Sequence, residues 1–320
     1  MLFEEILVSH TAVQSRKRRS QAKLTEARAL FDAAPIFRDN PNISVFAAGS
    51  LGRLDSGTTS DLDVFVTSTG DSVGRLREVE VFASILRINS DLKFPPLSND
   101  GEFLKIFNIQ DNERKIGSAN DDTENWFTTR MLLLLESNFL CNEAIFHEHK
   151  KKIFEFYFRD REHQVGFKPV FLMNDILRYW RTLCLNYEQA RSIPNKSWKK
   201  RNFNLRFSRL LSVFGTILPL MLIEDVTPEG IEILSSSTPM ERLAKGLDML
   251  VDAEDLKEKF GTFLDHYEAF LVIKESNDFD QIGDSIREDL KVKADEVADF
   301  VFAALNHKSV PSIYRRYLVI

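Results

Sequence analysis

Two aspartates one residue apart, Asp61 and Asp63, and the Gly49-Ser50 pair before them are the residues whose types and spacing offer chemistry in this chain. The run Asp61-Leu62-Asp63-Val64-Phe65-Val66 alternates polar and apolar and then turns wholly apolar, as a strand entering a core does. Successive strand side chains point to opposite faces, so Asp61 and Asp63 share one. Two carboxylates on one face repel each other unless a cation lies between them, and such a pair suits Mg²⁺ (or Mn²⁺) held against phosphate oxygens. Paired ions about 3.5–4 Å apart activate an attacking oxygen and stabilise a leaving one. Gly49 ends an apolar, strand-like stretch, where the missing Cβ lets backbone approach phosphate, and amides at the next helix start favour anions. The Ser50 hydroxyl is a further phosphate donor. Gly52 and Arg53 extend the same turn, and Arg53 has two possible partners, a phosphate or Asp55.

The elements that must position these residues follow from periodicity. Residues 3 to 34 read as a helix, with apolar positions at helical spacing and no Gly or Pro before Pro35. The basic run Arg16 to Arg19 lies on it and is expected as a solvated face. Strands are expected at 43–48, 61–66 and 102–109 and a helix at 74–90, which together make a small mixed unit. Beyond Asp121-Asp122-Thr123-Glu124, acidic residues suited to a helix start, the chain reads as helical. Helices are expected at 123–137, 141–160, 170–190, 199–222, 239–274 and 281–306, with breaks near Pro169, Pro194 and Gly230. The expected class is α+β. A small mixed-sheet core with its N-terminal helix (1–120) precedes a large helical domain (121–320) that completes a cleft.

Composition narrows the setting. A net charge of −6 and a pI near 5.7 exclude a generally basic nucleic-acid binder. Cys141 and Cys184 are far apart and lack partners at metal spacing, which fits a reduced, cytoplasmic protein. The first residues have an acidic pair where a secretory leader has basic ones, and MLLLL at 131–135 is far shorter than the roughly 18 apolar residues of a membrane span. The 26 phenylalanines read as a Phe-rich core rather than an aromatic binding array. Cys141, Glu143, His147 and His149 do not fall on one helix face, so they make no zinc set.

The segment Gly49-Ser50-Leu51-Gly52-Arg53-Leu54-Asp55-Ser56-Gly57-Thr58-Thr59-Ser60-Asp61-Leu62-Asp63 with its flanking strands resembles the signature of the DNA polymerase β-type nucleotidyltransferase superfamily. It is most similar to the bacterial branch that includes protein-PII uridylyltransferase-like domains. It is less similar to the cyclic-dinucleotide synthases, which place an aromatic residue where Leu51 stands. Residues 125–137, 174–188 and 199–211 resemble the helical half of uncharacterised bacterial nucleotidyltransferase proteins.

The resemblance implies a nucleotidyltransferase core that is Mg²⁺-dependent (or Mn²⁺-dependent) and ATP- or UTP-binding. A nucleotidyl group would pass from a nucleoside triphosphate to an acceptor, with a protein or RNA preferred to a small molecule or second messenger. The alternative is a nucleotide-sensing or scaffold module. The resemblance also implies a third carboxylate on a neighbouring strand, for which Glu102 is the first choice and Asp100 and Asp111 compete. A triphosphate needs further positive charge. The segment 199–209 is its expected source, through Lys200, Arg206, Ser208 and Arg209, with Asn202, Arg206 and Arg209 near one helix face. A second polar cluster, Asp175, Arg178, Tyr179 and Arg181, is expected to form internal ion pairs, and Trp180 to sit in the core.

Overall fold

The computed structural model describes residues 2–70, 73–97, 101, 104–163, 166–193, 198–275 and 281–318. The chain is α+β, and its backbone separates into two compact units. One comprises Arg16–Asp160 with Pro228–Ser236; the other comprises Met1–Ser15, Arg161–Thr227 and Ser237–Ile320. The change of character expected near residue 120 therefore lies inside the first unit.

That unit carries a four-stranded mixed sheet of β1 (Ile43–Ala47), β2 (Val64–Ser68), β3 (Ile106–Asn108) and β4 (Asn138–Cys141), in the order β3-β2-β1-β4. β1 runs antiparallel to both β2 and β4, and β2 runs parallel to β3. The period-2 pattern of β1 and β2 divides their side chains between two faces. Ile43, Val45, Ala47, Val64 and Val66 join a core with Leu24, Ala27 and Phe31 of α2 (Thr11–Ala33) and Val81, Ile85 and Ile88 of α5 (Arg75–Asp91). On the other face Phe46 stacks on Phe65, with centroids 5.5 Å apart, and meets Phe146 of α9 (Glu143–Tyr157) at 6.0 Å.

Several expected boundaries move. The helix expected over 3–34 divides into α1 (Phe3–Ser9) and α2, and a short α3 (Pro35–Arg38) follows it. Of the strand expected over 102–109, residues 102 and 103 lie outside the described residues; β3 ends at Asn108, because the Asn108 side chain accepts from the Gln110 amide at 3.0 Å and starts α6 (Ile109–Lys115). The helix expected over 123–137 becomes α7 (Ala119–Thr123) and α8 (Trp126–Leu135), and the chain then enters β4, which was not expected.

His149 on α9 is fully buried, with Nδ1 2.8 Å from Thr67 Oγ1 on β2 and no hydrogen-bond partner at Nε2. Burial disfavours the imidazolium and pushes its pKa down to about 4. The unfolded chain, with an ordinary His pKa near 6.5, binds the proton first. Stability is therefore intact above about pH 6.5 and lost as pH falls toward 4, by about 3 kcal/mol at the limit. Urea midpoints at pH 7.5 and pH 4.5 are expected to show this loss in the native chain and a smaller one in His149→Gln.

The second unit is helical. It contains α1, α10 (Val170–Arg191), α11 (Trp198–Asn204), a π-helical turn (Leu205–Arg209) and α12 (Leu210–Leu222). Helices α14 (Pro239–Asp248), α15 (Glu254–Glu275), α16 (Asp284–Leu305) and α17 (Ile313–Leu318) complete it. The Asp248 carboxylate accepts from the Phe3 and Glu4 amides at 2.7 and 3.0 Å, so a distant residue caps α1. Phenylalanines fill the core: Phe207 stacks on Phe270 at 4.5 Å and Phe263 meets Phe300 at 4.7 Å. The helix expected over 239–274 is interrupted between Asp248 and Glu254. Gly230, expected as a break, lies inside α13 (Pro228–Ser236), which belongs to the sheet-bearing unit; the break expected near Pro194 falls outside the described residues. Among the described residues one helix, Trp198–Leu222, has the length and mean hydropathy (1.4) to cross a membrane, and 78% of its apolar window is buried. It is longer than the MLLLL run and, being mostly buried, reads as a core helix.

Candidate nucleotide and metal site

β1 ends at Ala47, and Ala48 leads in extended conformation into α4 (Gly49–Gly52). The Ala48 amide donates to the Asp63 carbonyl at 2.9 Å, which carries the β1–β2 pairing one step beyond the strands. Leu62 is buried in the core while Asp61 and Asp63 on either side are half-buried; all three precede β2, so the strand expected over 61–66 begins only at Val64 and its alternation does not place the two carboxylates. Gly49 has φ +63°, and a Cβ there would lie 2.4 Å from Asp63 Oδ2. Only glycine tolerates both the left-handed backbone and this approach. The Gly49 backbone and the Asp63 carboxylate are thereby brought into direct proximity.

Gly49→Ala adds the clash to the cost of a left-handed L-residue, about 1–2 kcal/mol, and the Asp63 carboxylate must shift. Misplacement on the scale of 1 Å is expected to weaken metal-dependent turnover about a hundredfold, with the fold retained. Pyrophosphate release alongside circular dichroism checks this.

The loop between the turn and the aspartates is fastened from α2. Ser20 Oγ lies 2.9 Å from Ser56 Oγ and accepts from the Ser56 amide at 3.1 Å, while Lys23 Nζ donates to the Gly57 carbonyl at 2.7 Å. Arg16, expected on a solvated face, is 3% exposed. It lies one turn before Ser20 and two before Leu24, on the stripe that faces inward. Arg18 and Arg19 are exposed as expected.

Arg53 takes the internal role of the two open to it. Its guanidinium donates to Asp55 at 3.1 and 3.3 Å and to Glu136 Oε2 at 2.5 Å, with the Arg53 and Glu136 side chains 4% and 0% exposed. It is turned into the protein, not outward to a phosphate. Glu136 has no local motif to announce it; the second glycine of Gly49-Ser50-Leu51-Gly52 was the available signal, since a Cβ on Gly52 would lie 1.9 Å from the Glu136 carbonyl oxygen.

Glu102 and Asp100 lie outside the described residues. Asp111 sits on α6, paired with Lys115 at 3.5 Å. Among the described residues no third His, Cys, Asp or Glu joins Asp61 and Asp63 in a metal-holding group. Mg²⁺ commonly takes one or two carboxylates from a protein and completes its shell with water and substrate phosphate, so two aspartates are the number of donors such an ion requires.

In the helical unit the π-helical turn divides the face on which Arg206 and Arg209 were expected together. Arg206 pairs with Asp295 and donates to the Lys291 carbonyl at 3.4 Å, both on α16. Arg209 donates to the Tyr179 hydroxyl on α10 at 3.3 Å. Ser208 is buried, its hydroxyl 3.3 Å from that of Tyr267, and Lys200 is exposed on α11. Arg178 lies 3.7 Å from Asp175, and Trp180 packs edge-on against Phe214 at 5.4 Å. The histidines of α9 diverge, His149 toward Thr67 and His147 toward Glu232 at 3.2 Å.

Against known proteins, the chain matches no protein-family model and no curated sequence.

Proposed function

We propose that the sheet-bearing unit is a Mg²⁺-dependent nucleotidyltransferase that moves a nucleoside monophosphate from a nucleoside triphosphate, ATP or UTP, to an acceptor hydroxyl on a protein or RNA. The observation that carries this reading is the approach of Asp63 to Gly49. The Gly49 backbone at a strand-end turn lies against the Asp63 carboxylate, and Asp61, two residues before Asp63 and like it half-buried, is proposed as the second ligand.

In this reading Asp61 and Asp63 would hold the metal, which would supply neutralisation of the phosphate charge. Gly49 and Ser50 orient the triphosphate through the backbone amide and the hydroxyl. The acceptor oxygen attacks the α-phosphorus, the bond to the β-phosphate bridging oxygen breaks, and pyrophosphate leaves; the acceptor proton passes to a carboxylate, for which Glu102 is proposed. Such an in-line displacement depends on positioning and charge more than on reactive side chains, which suits a site built from a turn and two aspartates.

The test is incubation with ATP or UTP labelled at the α-phosphate, Mg²⁺ and cell extract. Label transferred to a macromolecule with stoichiometric pyrophosphate is the expected result. Tight nucleotide binding with no transfer to any acceptor replaces the enzyme with a nucleotide-sensing module.

A further inference from the structure

We propose that Glu136 and Asn138, which flank the junction of α8 and β4, are positioning residues that clamp the Gly49–Arg53 turn against the sheet; this rests on the nucleotidyltransferase reading and extends it. α4 has four residues with a glycine at each end, far below the length at which a helix holds its own shape. Its orientation has to come from outside, and the contacts come from one short segment.

Gly52 packs backbone to backbone, since a Cβ there would lie 1.9 Å from the Glu136 carbonyl oxygen and 2.8 Å from its carbon. The Asn138 side-chain amide donates to the Gly52 carbonyl at 2.8 Å, satisfying one of the acceptors a helix end leaves open. The residue after Gly52, Arg53, is held by the fully buried Glu136 carboxylate at 2.5 Å. Asn138 also stands opposite Ala47 in the β1–β4 register. The same segment therefore fixes the strand end that enters the turn and the two residues that leave it. Beyond Arg53 the Asp55 amide donates back to the Ser50 carbonyl at 3.0 Å, so Gly49 to Asp55 is one tied body.

The consequence is that the Gly49 backbone is set against Asp63 before a nucleotide arrives. A clamp of this kind acts on the triphosphate in ground and transition states alike, so its loss shows in KM more than in kcat.

Asn138→Ala and Glu136→Leu are the disrupting variants, and Glu136→Gln, which keeps an acceptor for Arg53, is the conservative one. In the nucleotide-free protein Asn138→Ala is expected to raise amide exchange at Gly49 to Arg53 about tenfold, the scale of one lost hydrogen bond, with β1 and β2 unchanged. KM for MgATP or MgUTP is expected to rise about tenfold with kcat within about threefold, and Glu136→Gln to retain most of the native value where Glu136→Leu does not. Unchanged exchange at the turn, or exchange raised equally through all four strands, overturns the clamp. A kcat loss with unchanged KM overturns its role in placing the triphosphate. If the native chain neither binds nor turns over ATP or UTP, the nucleotide reading falls, and amide exchange still decides the clamp by itself.

Discussion

Asp63→Asn is expected to lower metal-dependent pyrophosphate release about a thousandfold, and Asp61→Asn to do nearly as much. A bound divalent ion contributes several kcal/mol of transition-state charge stabilisation, and about 4 kcal/mol corresponds to that factor. Asparagine keeps the size and one oxygen of the carboxylate but removes the charge proposed to hold the ion. Because Asp61 and Asp63 are half-buried and flank a buried Leu62, the substitution leaves the core intact. Melting temperatures within a few degrees of native then separate lost chemistry from lost fold. Raising the Mg²⁺ or Mn²⁺ concentration is expected to recover part of the rate in the single variants and none in the double variant. Undiminished pyrophosphate release in the double variant removes both aspartates from the mechanism.

The strand-ending glycine was legible because its signal is local. A glycine that ends a strand permits a close approach and announces itself within a few residues, whereas the alternation expected over 61–66 begins only at Val64. The same local reasoning failed wherever the decisive contact was distant. Asn138 to Cys141 follows an apolar run directly, and a short buried strand after a buried helix end has no period of its own. Only pairing with β1, nearly a whole unit earlier in the chain, makes it a strand. Arg16 sits in a basic run that reads as a solvated face, but the inward stripe of α2 passes through that residue and not through Arg18 or Arg19. The common face expected for Arg206 and Arg209 assumed an unbroken α-helical register. One π-helical turn sends them to α16 and α10, and nothing in Leu205-Arg206-Phe207-Ser208-Arg209 marks it.

Arg53 shows the same limit and yields the second large effect. Arg53→Met is expected to cost about 3–5 kcal/mol of stability, the usual consequence of removing one partner from a buried ion pair. Asp55 and Glu136 have side chains 11% and 0% exposed, and both accept from this guanidinium; without it two carboxylates stay buried with less to offset their charge. Urea denaturation at pH 7 measures the loss directly. Adding Glu136→Met to Arg53→Met removes the stranded carboxylate and is expected to restore part of the stability. A double-mutant cycle is then expected to give a coupling of roughly 1–3 kcal/mol, as groups in one network do. The alternative role for Arg53, a phosphate ligand, predicts the reverse pattern: stability near native, no coupling to Glu136, and a raised KM for the nucleotide. A residue turned inward onto two carboxylates predicts the first pattern. It also explains why arginine rather than lysine stands at the end of the turn, since a planar fork reaches Asp55 through two nitrogens and Glu136 through the third. Arg53→Lys is therefore expected to lose most of the same stability although it keeps the charge.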